Sequence, residues 1–123
     1  MIRFEVDVLP KAECAWVGSS RSKREYNEAK EELRAAVATV MPAISAPFNR
    51  PHLTIVAFVG DKGDGDGYFR AQCPRTLTPA LDGVYEALVD AGWVESMAAV
   101  PVITVAVFTG CEKEGLQITI SEI

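Results

Sequence analysis

Residues 75–97, Arg-Thr-Leu-Thr-Pro-Ala-Leu-Asp-Gly-Val-Tyr-Glu-Ala-Leu-Val-Asp-Ala-Gly-Trp-Val-Glu-Ser-Met, contain the strongest structural signal in the chain. They predict a helix that begins around Thr78, because Pro79 suits the first helical position. Ala91 and Gly92 end this helix, since glycine favours the left-handed backbone that follows a helix. The apolar side chains that repeat at helical spacing are Leu81, Val84, Tyr85, Leu88 and Val89,.

A second helix is predicted upstream, over residues 22–41. Ser22 and Glu25 fit a capping box, in which each side chain satisfies a backbone donor of the other. Pro42 stops the helix. The apolar stripe of this helix comprises Tyr26, Ala29, Leu33, Val37, Val40 and Met41.

Four strands complete the prediction. Apolar alternation or short apolar runs indicate strands over residues 2–9, 52–59, 100–108 and 116–123,. The order is therefore β-α-β-α-β-β. Two amphipathic helices on one face of a small mixed sheet would bury these patterns, so we expect a two-layer α+β fold in one domain, residues 1–123.

The composition limits the class of protein to which the chain can belong. The chain has 123 residues, of which 49% are hydrophobic, enough for one core,. No apolar run approaches the length of about 18 residues that suggests a membrane span, and the N-terminus lacks a signal-peptide pattern. We expect a soluble cytoplasmic protein with no membrane partner. Three cysteines without metal-site spacing are expected to be reduced thiols,.

Charge is distributed unevenly along the sequence. Residues 1–50 carry eight Lys/Arg and seven Asp/Glu, whereas residues 51–123 carry four and ten. Because phosphate backbones reward clustered cations, an acidic C-terminal half argues against tight nucleic-acid binding. The possible DNA-contacting residues are Arg21, Lys23, Arg24 and Arg75.

Two local motifs suggest chemistry that their surroundings do not support. The acidic loop 61–66 resembles part of a calcium loop, but with Gly67 as the turn glycine the first and twelfth ligands would be Lys62 and Cys73,. We interpret it as a solvated loop. His52–Ile55 matches one His-x-Thr motif of the 2H phosphoesterases, and residues 117–120 resemble a second copy without its histidine. One histidine cannot supply both proton transfers.

The stretch 75–97 resembles the central motif of the RusA family of phage-type Holliday-junction resolvases. That motif runs Arg-Asp-x-Asp-Asn, a lysine three residues later, then Asp-Ala-Leu, Ala-Gly and a closing Asp-Asp pair. The residues that keep this frame are Arg75, Leu77, Ala87, Leu88, Ala91, Gly92 and Trp93. The strand before Pro10, the first helix and residues 115–122 also fall where the family has them. The resemblance implies a RusA-like fold and a homodimer.

The sequence departs from the family motif at the positions of the family's catalytic residues. The two aspartates of Asp-x-Asp correspond to Thr76 and Thr78, the lysine corresponds to Asp82, and only Glu86 keeps an acid. The closing pair corresponds to Ser96 and Met97. Two-metal phosphodiester cleavage needs several carboxylates around Mg²⁺, which neither threonine nor methionine replaces.

Three functions follow from this interpretation. We expect first a catalytically inactive module of phage or prophage origin that binds a host or phage protein through an acidic face of Asp82, Glu86 and Asp90, with no cofactor and weak or absent DNA binding. Only Arg75 is expected to offset the charge of that face. The alternatives are a binder of Holliday junctions or branched DNA, and a nuclease that holds Mg²⁺ through relocated carboxylates on the same face.

Overall fold

A computed structural model describes residues 1–10, 20–60, 80–108 and 110–123, with residues 20–22 described by their backbone alone. Within these ranges the chain forms two helices, four strands and one turn of 3-10 helix. In chain order the elements are β1 Ile2–Val6, α1 Ser20–Val40, β2 Pro51–Phe58, α2 Asp82–Asp90, the 3-10 turn Met97–Ala99, β3 Val102–Phe108 and β4 Gly115–Glu122.

The four strands form one mixed sheet in the order β1-β4-β2-β3. β4 is antiparallel to both of its neighbours, β1 and β2, whereas β3 runs parallel to β2. The parallel pair needs a crossover connection, and α2 lies in the chain between β2 and β3,. The predicted α+β class, the order β-α-β-α-β-β and the mixed sheet are therefore confirmed.

One face of the sheet forms the core with the two helices. In β2, Leu53, Ile55 and Ala57 are buried, while the alternate residues are only half-buried. This period of two places every second side chain of a strand on the same face. The helices supply Leu33 and Val37 from α1 and buried side chains of α2 to the same hydrophobic cluster. Both helices thus share one face of the sheet, as predicted.

α1 begins earlier than its capping pattern predicts. Its backbone is helical from Ser20, so Ser22 lies inside the helix and the predicted capping box with Glu25 is wrong. An N-cap residue must itself keep a non-helical backbone, which Ser22 does not. Pro79, the predicted first residue of the second helix, lies outside the described residues. Among the described helices, none combines the length and apolar character needed to cross a bilayer.

The predicted end of the second helix is confirmed in its details. Gly92 has φ +76°, the left-handed conformation that glycine adopts most easily,. Its N–H donates to Val89 O at 3.0 Å, and the N–H of Trp93 donates to Leu88 O at 3.0 Å. These two bonds form a Schellman motif, which satisfies carbonyls that the end of a helix leaves open.

The end of α2 places Trp93 in the hydrophobic core. Trp93 is 1% exposed, and its ring meets the ring of Phe4 edge-on, with centroids 5.6 Å apart. Phe48 packs at 5.8 Å from the same indole and donates its backbone N–H to Trp93 O at 2.9 Å. Trp93 therefore joins the end of α2 to β1 and to the segment that precedes β2.

The predicted bounds of the two edge strands, β1 and β3, also differ from the structure. β1 ends at Val6 rather than residue 9, because its partner β4 begins at Gly115, one residue before the partner of Val6. β3 begins at Val102 rather than residue 100. The 3-10 turn ends at Ala99, Val100 is its C-cap, and Pro101 has no N–H to donate to a ladder,.

Candidate functional site

The predicted acidic face on α2 lies against α1. Its carboxylates recur every four residues, and three side chains of α1 recur at the same interval opposite them. Each contact joins residues 56 positions apart in the sequence, so the two helices meet in a parallel ladder,. The ladder pairs Tyr26 with Asp82, Lys30 with Glu86, and Arg34 with Asp90.

The contacts of the ladder differ in burial. The Tyr26 hydroxyl donates to Oδ2 of Asp82 in a part-buried hydrogen bond. Nζ of Lys30 lies 3.1 Å from Oε1 of Glu86, and its side chain is 19% exposed against 43% for Glu86. A partly exposed ion pair of this kind contributes up to about 1 kcal/mol. The ladder therefore orients these acids without removing them from solvent.

Arg34 connects the ladder to a fourth carboxylate. Its Nε and Nη2 donate to Oε2 of Glu31 at 3.0 and 2.7 Å, and its Nη1 lies 3.5 Å from Oδ2 of Asp90. The hydrogen bond from Arg34 lowers the pKa of Glu31, and the same bond raises the pKa of Arg34. Both groups therefore stay charged across the physiological range.

The close fit of the two helices depends on Gly83. A Cβ at this position would lie 2.8 Å from the backbone oxygen of Lys30 and 3.0 Å from Cβ of Leu33. The absence of a side chain therefore lets α2 approach the backbone of α1. This approach brings the facing side chains within hydrogen-bonding distance.

A groove of about 1140 Å³ opens between α2 and β3. Its walls combine apolar side chains from both elements with charged side chains from both helices. Four of the charged groups are carboxylates and one is a guanidinium. We call it the acid-rimmed groove: its apolar side chains are Tyr85, Val89, Met97, Ile103 and Val105, and its charged ones are Glu31, Arg34, Asp82, Glu86 and Asp90.

Tyr85 is the one phenol among the groove residues. Burial raises the pKa of Tyr85, and the negative charge of Asp82 raises it further. Both effects disfavour the phenolate. Tyr85 therefore stays neutral and contributes to the groove a ring that can pack against an apolar group and a hydroxyl that can form a hydrogen bond.

The structure describes only some of the positions that correspond to the family's catalytic residues. Thr76, Thr78 and Arg75 lie outside the described residues. Ser96 is exposed and precedes the 3-10 turn. Met97 is half-buried and lines the acid-rimmed groove. A thioether there extends the apolar surface where the resemblance implies an aspartate in the family.

One expectation about charge is tested by these contacts. The expectation that only Arg75 offsets the acidic face is wrong, because Lys30 and Arg34 already pair with Glu86 and Asp90. Among the described residues, no three histidine, cysteine or acidic side chains converge in an arrangement that could hold a metal ion. The acidic loop 61–66 lies outside the described residues.

The predicted basic cluster is only partly described. Lys23 and Arg24 are exposed in the first turns of α1, whereas the side chain of Arg21 lies outside the description. Neither Lys23 nor Arg24 lines the acid-rimmed groove. The structure therefore does not bring the described members of this cluster to the groove.

His52 lies on the sheet face opposite the helices. Its Nε2 is 3.2 Å from Oγ1 of Thr104 and 3.4 Å from Oγ1 of Thr54. In the register of β2 and β4, Thr54 faces Thr119, which places Gln117 four residues from His52 along the strand direction. At about 3.3 Å per residue that is roughly 13 Å. The two halves of the 2H-like pattern therefore do not converge on one site.

The ladder and the groove were not predicted from the sequence. The signal for the ladder was present, since residues 26, 30 and 34 have the same spacing as residues 82, 86 and 90. The groove had no comparable signal, because it depends on which strand stands at the edge of the sheet. Cys14 and Cys73 lie outside the described residues, so the reduced state of the cysteines stays a prediction.

No protein-family model matches the sequence, and no curated protein matches it either. The resemblance to the RusA family is therefore a proposal, supported by the motif in residues 75–97 and compatible with the α+β fold.

Proposed function

We propose that this chain is a catalytically inactive relative of the RusA family, of phage or prophage origin, that acts in the bacterial cytoplasm as a protein-binding module. The observation that carries this proposal is the acid-rimmed groove. Its partly exposed apolar side chains offer contact area, and its excess of carboxylates favours a cationic partner,. We propose a basic surface of a host or phage protein as that partner.

The chemistry of the groove supports binding rather than cleavage. Its carboxylates make contacts with α1, and Met97 contributes an apolar wall. Hard divalent cations prefer several converging oxygen ligands, and a thioether is a poor substitute. The charges also support weak or absent DNA binding, because a phosphate backbone would meet four carboxylates that are offset by two cations, Lys30 and Arg34,.

A capture experiment with two matched variants tests the proposed function. Glu86→Lys with Asp90→Lys reverses the rim of the groove, while Glu5→Lys with Glu28→Lys makes the same charge change at exposed positions outside it. We expect cross-linking in a bacterial host lysate to capture a basic protein with the wild type and the control pair. The groove variant should lose it. Equal capture by all three proteins would contradict the proposal.

Nuclease and junction-binding assays test the two alternatives. We expect a synthetic four-way junction to stay uncut with Mg²⁺ or Mn²⁺, and to show no structure-specific gel shift at physiological salt. Metal-dependent cleavage that Glu86→Ala abolishes would support a relocated metal site. Sub-micromolar, junction-specific binding that Lys23→Ala and Arg24→Ala together remove would support a DNA binder.

The oligomeric state is a separate proposal. The resemblance implies a homodimer, and we propose one for this chain. Sedimentation velocity over a range of protein concentrations measures it directly. A dimer is the expected result, and a monomer at every concentration would contradict it.

A further inference from the structure

We propose that β3 is a docking edge, to which a partner protein adds an extended segment with lysine or arginine at alternate positions. The added strand would lay its cationic side chains in the acid-rimmed groove. This inference rests on the proposed function, and it specifies both the conformation and the side-chain pattern of the partner.

Among the described residues, no strand pairs with the outer side of β3. In the sheet order, β3 has β2 on one side and no described strand on the other. Phe108 O accepts the N–H of Val59 at 2.8 Å, so the peptide groups of Phe108 point towards β2. In a parallel ladder the direction alternates along the strand. The N–H and C=O groups of Ile103, Val105 and Val107 therefore point outwards.

The sequence of β3 leaves this edge unprotected. Val102–Phe108 contains no charge and no proline, and Ile103 is 41% exposed. Edge strands usually carry charges, prolines or bulges that prevent pairing with another chain. β1, at the opposite edge of the sheet, has such protection, because it carries Arg3 and Glu5. The contrast marks β3 as the edge that is open to strand addition.

The groove determines which side chains an added strand needs. Such a strand would lie about 4.8 Å beyond β3, with alternate side chains on the two faces of the sheet. Those on the helix side would pass Val89 and Met97 and reach the carboxylates of Glu86 and Asp90. Lysine and arginine suit this path, since an apolar stem ends in a cation.

The other side chains of the added strand would meet a different surface. On the sheet face away from the helices, β3 presents Thr104, Ala106 and Phe108. Phe108 is 56% exposed and stacks on Phe58 with ring centroids 6.0 Å apart. Apolar side chains would pack best beside this pair. The expected partner segment therefore alternates cationic and apolar residues.

A second copy of the chain fits this edge less well. Two β3 strands paired about a twofold axis would bring no cations to the groove, because β3 is uncharged,. The same pairing would bring the acid-rimmed groove of each copy towards that of the other. Charge complementarity therefore favours a basic partner segment.

A synthetic peptide provides the probe. It has seven residues in which lysine and valine alternate, with both ends blocked, and its binding to the full chain is measured by calorimetry. A peptide that alternates glutamate and valine, and one with the lysines in a single block, are the controls. We expect the alternating lysine peptide to bind at least tenfold more tightly than either control.

Three variants separate backbone docking from charge. Val105→Pro removes one outward N–H, and proline is tolerated at such an edge position, so the fold should persist by circular dichroism. We expect it to weaken binding of the lysine peptide at least tenfold. Val105→Ala truncates the same side chain but keeps the N–H, so it measures the loss that is due to the side chain alone, and Val105→Pro should weaken binding at least fivefold more than Val105→Ala does. Glu86→Gln with Asp90→Asn should weaken binding at least fivefold, because it removes two charges of the rim.

The pattern of results distinguishes this inference from the proposed function. Binding weakened by the Glu86/Asp90 variant but unchanged by Val105→Pro would overturn strand addition and leave the groove as the binding site. Binding that none of the variants changes would count against both. A wild-type dimer that Val105→Pro converts to a monomer would show that a second copy occupies the edge, which would overturn the proposal.

Discussion

β4 and β3 flank the same central strand, yet their equivalent side chains have very different surroundings. Leu53 of β2 lies between Ile120 of β4 and Ile103 of β3 in the sheet register. Ile120 is fully buried, whereas Ile103 is 41% exposed. The strands are similar in length, and the exposed strand β3 has the more apolar sequence of the two. Burial is therefore decided by which flank the helices cover.

This difference separates the half of the sheet that lies in the core from the half that we propose binds a partner. On the β4 side, Ile118 and Ile120 are fully buried in the hydrophobic core. On the β3 side, Ile103 and Val105 line the acid-rimmed groove. Substitutions in the first region should lower the free energy of unfolding, and those in the second should affect partner binding more than stability.

The largest expected effect compares the same truncation on the two flanks. Ile118→Ala should lower the free energy of unfolding by about 2–5 kcal/mol, because it leaves a cavity in the core,. Ile103→Ala should lower it by less than about 1 kcal/mol, since much of that side chain already contacts solvent. Urea unfolding measures both. Equal losses would mean that β3 is as well covered as β4, which would contradict the difference in burial between the two flanks.

A smaller effect is expected where α2 meets α1. Gly83→Ala places a Cβ 2.8 Å from the Lys30 carbonyl oxygen and should destabilise the protein by about 1–3 kcal/mol,. Gly92→Ala is the control: its Cβ would meet nothing within 4 Å, so only the positive φ would oppose it, by about 1 kcal/mol,. Guanidinium unfolding compares them. If Gly83→Ala stabilises the protein, the helices are not in close contact.

The ladder should contribute less than the packing. A double-mutant cycle of Lys30→Met and Glu86→Gln should give a coupling of about 0.5–1 kcal/mol, since Lys30 is largely shielded from solvent,. The pair of Lys113 and Asp7 lies 3.2 Å apart with both side chains 76% exposed, and it serves as the control. We expect no measurable coupling there. A larger coupling for this exposed pair would reverse the assignment of the ladder as the stronger contact.

The smallest effect concerns the groove floor at alkaline pH. Burial raises the pKa of Tyr85, so the folded state holds the phenolic proton to a higher pH than the unfolded state. The stabilising contribution is complete below the unfolded pKa near 10 and disappears as pH rises through the higher folded value. An absorbance titration of wild type minus Tyr85→Phe should show a midpoint above 10. A midpoint at or below 10 would mean that the groove floor is fully solvated.

The elements of this fold could be predicted from local patterns. The Ala91-Gly92-Trp93 ending of α2 followed from glycine's left-handed backbone, and the alternation in β2 followed from the period of two. The predicted start of α1 was wrong because a Ser-x-x-Glu pattern also fits inside a helix, where Ser22 lies.

The site depended on contacts between distant parts of the chain. The acids on α2 could be placed on one helix face, but their partners on α1 are 56 residues away. The spacing of the two sets matched, although nothing local showed that the helices run side by side. The edge position of β3 could not be predicted from the sequence for the same reason. Its apolar sequence is as compatible with a central strand as with an edge strand,.

Amide hydrogen exchange along β3 tests strand addition directly, because it reports on each N–H of the proposed docking edge. In the free protein at low concentration, Thr104, Ala106 and Phe108 should be protected by β2, while Ile103, Val105 and Val107 should exchange rapidly,. Saturation with the alternating lysine–valine peptide should slow exchange at those three outward amides. Protection of all six amides in the free protein, or rapid exchange of Val105 at saturating peptide, would contradict strand addition at β3.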